Sequence, residues 1–177
     1  SGTQQVTITI TDDDDASSVL TIAVDNTTIV EDGGVSTITA TLDAVSSNDV
    51  TVTLSTDNGT ATGSGTDYTL SSSTITISAG STTGTTTVTA VQDALDEGNE
   101  TVIVGVDSVT NATESGTQQV TITITDDDDA PVLTIAADNT TIDEDGGVST
   151  ITATLDAVSG KDVTVTLSTD NSTATGS

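Results

Sequence analysis

Cysteine, histidine, methionine, phenylalanine and tryptophan are all missing from this 177-residue chain, which has one tyrosine, one proline and one basic residue, Lys161. Without cysteine there is no disulfide, no thiolate metal site and no thiol nucleophile. Without histidine as well, zinc and copper lose the ligands they prefer. One base against 28 acids leaves a net charge of -27. Such a surface cannot neutralise phosphates, which excludes nucleic acid as a partner, and anionic membranes repel it. No apolar run approaches the roughly 20 residues that cross a bilayer, so direct membrane insertion is not expected. Nor does the chain offer an aromatic platform for a sugar or a second domain to close a cleft. Paired carboxylates therefore do not make a glycosidase of it, and the chain reads as non-enzymatic.

The core must be thin. Tyr68 is the one aromatic side chain, so valine, isoleucine, leucine and alanine have to supply the buried area. At about 25 cal/mol per Å² of apolar surface, a core without large rings gains less per residue, and mutual repulsion of the acids weakens it further. Marginal stability in low-salt water is expected, with a ligand of the folded form correcting it by mass action.

What the chain does have is repetition. Ser1–Ala16 recurs unchanged at Ser115–Ala130, an offset of 114, and Val19–Ser64 recurs at Val132–Ser177, an offset of 113. The second pair differs only at Val24/Ala137, Val30/Asp143, Ser47/Gly160, Asn48/Lys161 and Gly59/Ser172. The repeat is domain-sized, far longer than a solenoid unit. Residues 1–16 read as the last strand and acidic tail of one repeat. Residues 17–130 read as a complete repeat and 131–177 as the first half of another, which suggests a longer tandem array.

Inside residues 17–130 the hydrophobic period is two. Leu20/Ile22/Val24, Ile38/Ala40/Leu42, Val50/Val52/Leu54, Ile75/Ile77, Val88/Ala90, Val102/Val104/Val106 and Val120/Ile122/Ile124 each alternate with polar residues, mostly threonine. These are half-buried strands, separated by turn signals such as Asp32-Gly33-Gly34, Ala79-Gly80 and Glu97-Gly98-Asn99. An all-β chain of tandem seven-stranded antiparallel sandwiches, immunoglobulin-like, is expected.

If successive strands run antiparallel, the acids segregate. One pole collects Glu31, Asp32, Asp57, Asp67, Asp93, Asp96, Glu97, Glu100 and Asp126 to Asp129; the other has Asp43, Asp49, Asp107 and Glu114, twelve against four. Carboxylates gathered from four separated segments suit a hard cation that takes six to eight oxygens, and calcium fits better than magnesium, which keeps its waters. The competing reading is an acidic surface of halophilic type that serves solubility; the segregation argues against it.

Other features have ordinary explanations. Asn26, Asn58, Asn99, Asn111, Asn139 and Asn171 begin Asn-x-Ser/Thr sequons, which a threonine-rich chain produces by chance. Threonine ladders such as Thr85/Thr87/Thr89 suggest an ice-binding face, but threonine is a good strand former and a twisted sheet is a poor flat lattice.

Four motifs in order resemble the Calx-β domain: Glu31-Asp32-Gly33-Gly34; Gly59-Thr60-Ala61 with Gly65-Thr66-Asp67-Tyr68; Asp93 with Asp96-Glu97-Gly98-Asn99-Glu100-Thr101; and Thr125-Asp126-Asp127-Asp128. The family occurs in sodium–calcium exchangers, in an integrin β subunit and in large bacterial surface proteins. The resemblance implies Ca2+ at one pole, with Glu31, Asp67, Asp93, Glu97, Glu100, Asp126, Asp127 and Asp128 as ligands and the Leu95 carbonyl as a further oxygen. Exchanger domains have a denser acidic run where this chain has Gln92-Asp93-Ala94, so fewer ions are expected. Such similar repeats suggest a calcium-stiffened stalk or fibre of an extracellular or cell-surface adhesion protein, bacterial or archaeal. Its partners would be neighbouring repeats and other copies in a fibre. A calcium sensor and an adhesive, ligand-binding domain are the alternatives. Lys161, at the pole that receives the preceding repeat, is expected to approach Asp126 to Asp129.

Overall fold

A computed structural model describes residues 2–9, 17–56 and 59–170. The first aspartate run, Asp12 to Asp15, lies outside these residues, as do Asp57 and the sequons at Asn58 and Asn171.

Alternation becomes a two-sheet sandwich. The strands are β1 (Val19–Val24), β2 (Thr28–Val30), β3 (Val35–Leu42), β4 (Val50–Ser55), β5 (Tyr68–Leu70), β6 (Thr74–Ile77), β7 (Thr83–Ala90), β8 (Glu100–Thr110), β9 (Thr113–Glu114) and β10 (Gln119–Thr125). One sheet has the order β5-β7-β3-β1-β9 and the other β2-β10-β8-β4-β6. The seven long strands fall where the period of two put them. The additions β2, β5 and β9 are two or three residues long, too short for an alternation to show.

Every second residue faces inward. Leu20, Ile38, Val50, Val52, Ile75, Ile77, Val88, Val102, Val104 and Ile122 are essentially sealed from solvent. The expected inward positions Val24, Val106 and Val120 pack half-buried at the rim. Polar residues in the core are paired, as burial requires: the Ser36 hydroxyl donates to the Asn26 carbonyl at 2.7 Å and the Thr86 hydroxyl to the Ser72 carbonyl at 2.9 Å.

Strand directions matter most for the site. β1 runs antiparallel to β3, β3 to β7, β4 to both β6 and β8, and β8 to β10. After β1 the chain crosses to the other sheet, where β2 lies parallel to β10, with Ile29 opposite Ile124. Asp25 holds the crossover: its Oδ1 accepts the Thr37 amide at 2.7 Å, which keeps its carboxyl below the usual range. The β1–β3, β4–β6 and β7–β8 connections and the exit of β10 therefore share one end of the sandwich.

Identical sequence folds differently where its neighbours differ. Residues 116–123 have an exact copy at 2–9, yet no strand forms at 2–9, and Val6 and Ile8 are 87% and 82% exposed. The last strand expected there lacks partners among the described residues, whereas β10 is flanked by β8 and β2. A strand leaves its backbone groups unpaired unless another strand meets them. Further along, β11 (Leu133–Ala137) and β12 (Ile151–Leu155) pair antiparallel, repeating the β1–β3 register. Residues 163–168, the copy of β4, form no strand, and no copies of β6 or β8 flank them among the described residues.

Candidate metal centre

The site is assembled from loops tied together by backbone hydrogen bonds. Glu31 directly follows the crossover strand β2. Its amide donates to the Thr125 carbonyl at 3.0 Å, which sets Glu31 beside the exit of β10. The turn after it needs glycine twice: Gly33 has φ +67°, and a Cβ on Gly34 would lie 2.4 Å from the Val30 carbonyl oxygen. The freed Gly34 carbonyl accepts the Ala90 amide at 2.9 Å, fixing this loop to the end of β7.

Asp67 is placed by the turn before Tyr68. Gly65 has φ +85°, and its amide donates to the Tyr68 carbonyl at 3.0 Å. The Asp67 carbonyl accepts the Val91 amide at 2.9 Å, and its carboxylate accepts the Thr62 amide. Gly59 lets the same loop approach β8, since a Cβ there would stand 2.1 Å from the Thr101 carbonyl.

Two groups of carboxylates result among the described residues. Glu31, Asp93 and Asp128 form one; Asp67, Glu97 and Glu100 form the other; within each group one oxygen per residue lies within 4.8 Å of the others. Between them a small cavity is lined by Glu31, Asp67, Glu97, Gly98, Glu100, Ile124 and Asp126. Asp126 Oδ1 is buried and accepts no hydrogen bond from the described residues.

The period of two continues past β10. Asp126 and Asp128 are half-buried, while Asp127 is exposed and belongs to neither group. Leu95 enters through its backbone, its amide donating to Asp93 Oδ1 at 2.8 Å. The Asp93 amide in turn donates to Glu31 Oε1 at 3.1 Å, and Gln92 Nε2 reaches Asp128 Oδ2 at 3.4 Å.

The electrostatics are those of an anion cluster short of cations. Glu31 is 7% exposed, and burial pushes its carboxyl above the usual range, aided by Asp93, Asp126 and Asp128; the Asp93 amide opposes this. Desolvation also raises Glu97, with Asp93, Asp67 and Asp126 adding to it, and raises Asp128, with its neighbour Asp127 the next cause. Glu100 is pushed up to about 7, by desolvation first and then by the adjacent Asp67 carboxylate.

The opposite pole behaves differently. Asp43 Oδ1 accepts the Val19 amide at 2.7 Å, Asp49 Oδ1 the Ala79 amide at 2.8 Å, and Glu114 Oε1 the Gln118 amide at 2.5 Å. Those acids accept backbone amides and belong to no carboxylate group, whereas the clustered ones accept amides and also face each other.

Lys161 reaches the acidic pole, where Asp126 is among the carboxylates that favour its charged form, but its ion-pair partner is a different residue. Its Nζ lies 2.6 Å from Asp96 Oδ1, so the partner is the β7–β8 loop rather than Asp126 to Asp129. The reason is geometric: Gly160 donates to the Asp96 carbonyl at 3.2 Å, and Ser159 bridges Asp96 in parallel fashion, which brings Lys161 to that loop.

The donor set fits a hard divalent cation. It contains carboxylate oxygens from four segments, an orphaned buried oxygen among them, and no nitrogen or sulfur ligand. Burial is the main cause that raises Glu31, Glu97 and Glu100, and a bound cation would offset both it and the repulsion among neighbouring carboxylates that adds to it.

The Calx-beta domain family model matches residues 12–128 and again 126–177. A search of curated proteins gave no match. Among solved structures, the chain is similar to CBD12 from CALX1.2, at 18% identity and TM-score 0.54, over 67% of this chain and 48% of that one. It is similar to calcium binding domain CBD12 of CALX1.1, at 19% identity and TM-score 0.53, over 63% and 46%. A third, the apo-form Calx CBD1 domain, is matched at 19% identity and TM-score 0.52, over 62% and 98%. The chain spans about half the length of the first two. At such identities these likenesses establish the fold.

Proposed function

Because the chain belongs to the Calx-beta domain family, we propose that it binds calcium at the acidic pole and serves as a structural repeat of an extracellular stalk or fibre. The ligands are Glu31, Asp93 and Asp128 on one side and Asp67, Glu97 and Glu100 on the other, with Asp126 between them. The observation that carries this reading is Asp126 Oδ1, buried without a donor beside two carboxylate groups. A buried, unpaired anion costs several kcal/mol unless a cation or proton meets it. Solubility alone gives no reason to bury it.

The structural role rests on repetition, since near-identical repeats add length while a sensor gains little from copies. Calorimetric titration with calcium tests the site, and saturation well below ambient calcium is the expected result. Partial occupancy near ambient calcium would favour sensing instead. Small-angle scattering with calcium and with chelator tests the stalk: a chain equally long and equally stiff in both overturns it.

A further inference from the structure

Val19–Ser64 and its copy Val132–Ser177 differ at five positions, and two of the five are adjacent: Ser47 against Gly160 and Asn48 against Lys161. Those two fall where residues 131–177 touch the acidic pole of residues 17–130. Lys161 is also the chain's one basic residue.

The contact selects both residues. Gly160 lies so close that a Cβ on it would stand 2.6 Å from Glu97 Cγ and 2.9 Å from Glu97 Oε1. A serine there fits only if Glu97 swings away, and its Cβ would also stand 3.2 Å from the Asp96 carbonyl oxygen, which is backbone and yields less. Gly160 also donates to the Asp96 carbonyl at 3.2 Å. Lys161 then reaches Asp96, whose side chain is only 13% exposed, at 2.6 Å. Asparagine is too short for that span and has no charge to set against Asp96, Asp126 and Glu97, which together raise the lysine's affinity for its proton. An exposed ion pair alone contributes little. Here it is joined to a steric requirement and a backbone bridge, and complementary charge mainly sets which partner fits.

We propose that Gly160-Lys161 is a docking code between repeats. The acidic pole of residues 17–130 accepts as its neighbour a repeat with glycine–lysine in the loop that follows its second long strand. A repeat with serine–asparagine there, as residues 17–130 present at Ser47-Asn48, does not form this joint. Joints in such an array are then of two kinds, one fixed and one pliant, written by two residues. The code rests on contacts between polypeptide segments and needs no bound cation.

The absence of cysteine makes the test direct. Spin labels are placed on the full chain through T76C and T152C, both exposed and on opposite sides of the joint. In calcium buffer the parent gives one narrow distance distribution. The G160S/K161N variant, which rewrites the joint as serine–asparagine, gives a distribution at least twice as wide, and K161N alone falls between. Thermal melting of the sandwich is recorded for each and stays unchanged, because the substituted loop lies outside it. A parent that is already broad, or a double variant as narrow as the parent, overturns the proposal. A calcium isotherm of the parent reports on the metal site separately: no heat of binding sinks that site and leaves the comparison of widths standing.

Discussion

Glu100 holds its carboxylate against that of Asp67, and with Glu97 the three keep an oxygen apiece within 4.8 Å. Burial and this neighbour raise Glu100 from 4.5 to about 7. The metal-free fold thus binds a proton there more tightly than the unfolded chain does. The stability that the proton confers is complete below pH 4.5 and is lost as pH rises through about 7. We expect metal-free melting temperature to fall between pH 5 and pH 8, and calcium affinity to rise over the same interval as the competing proton leaves. Melting curves in chelator and calorimetry in calcium, at several pH values, check the two opposite slopes. A metal-free protein that gains stability with pH in this interval would contradict the cluster's charge state.

Neutralising Glu100 should split stability from affinity. E100Q removes one member of the like-charge pair with Asp67, so the metal-free protein melts a few degrees higher, as about 1 kcal/mol does for a domain of this size. The same change removes a charged oxygen ligand and weakens calcium binding at least tenfold, about 1.4 kcal/mol. Chelator and calcium melting curves of parent and variant should therefore cross over in rank. If E100Q lowers both, Glu100 acts in packing rather than in metal binding.

The aspartate run offers a comparison between adjacent residues. Asp126 is half-buried, with an unpartnered oxygen, and Asp127 is exposed. D126N should weaken calcium binding more than tenfold, because the lost charge sits between the two carboxylate groups. D127N should change it about threefold or less, since an exposed neighbour acts only through screened Coulomb attraction. Equal effects from the two would mean that the run works as diffuse charge and not as a directed set of ligands.

Most of the fold was legible because the long strands carry a period of two: Ile38/Ala40/Leu42 against Thr37/Thr39/Thr41 leaves one face to bury. The acidic pole followed from strand direction alone. Which carboxylates turn inward was legible too, had the alternation been carried past Thr125 into Asp126 and Asp128. The short strands β2, β5 and β9 were not, because their pairing comes from backbone links such as Glu31 to Thr125 that no side-chain pattern records. The Lys161 partner was misplaced for a related reason. It is the β7–β8 loop that meets residues 159–161 of the same chain, through the Asp96 carbonyl and carboxylate.

Context rather than sequence decides the state of Gly-Thr-Gln-Gln-Val-Thr-Ile, and substitution can measure by how much. Ile122 is fully buried between the sheets, whereas its copy Ile8, in an identical stretch, is 82% exposed. I122A should cost about 2–5 kcal/mol, the range for emptying a packed aliphatic site. I8A should stay within about 0.5 kcal/mol, as surface changes do. Calcium affinity should fall with I122A, because Ile124 and Asp126 hang on the same strand, and should not move with I8A. Denaturant unfolding of both variants in chelator checks the first pair of outcomes. A destabilising I8A would mean that residues 2–9 bury that side chain in solution, on a strand partner of their own.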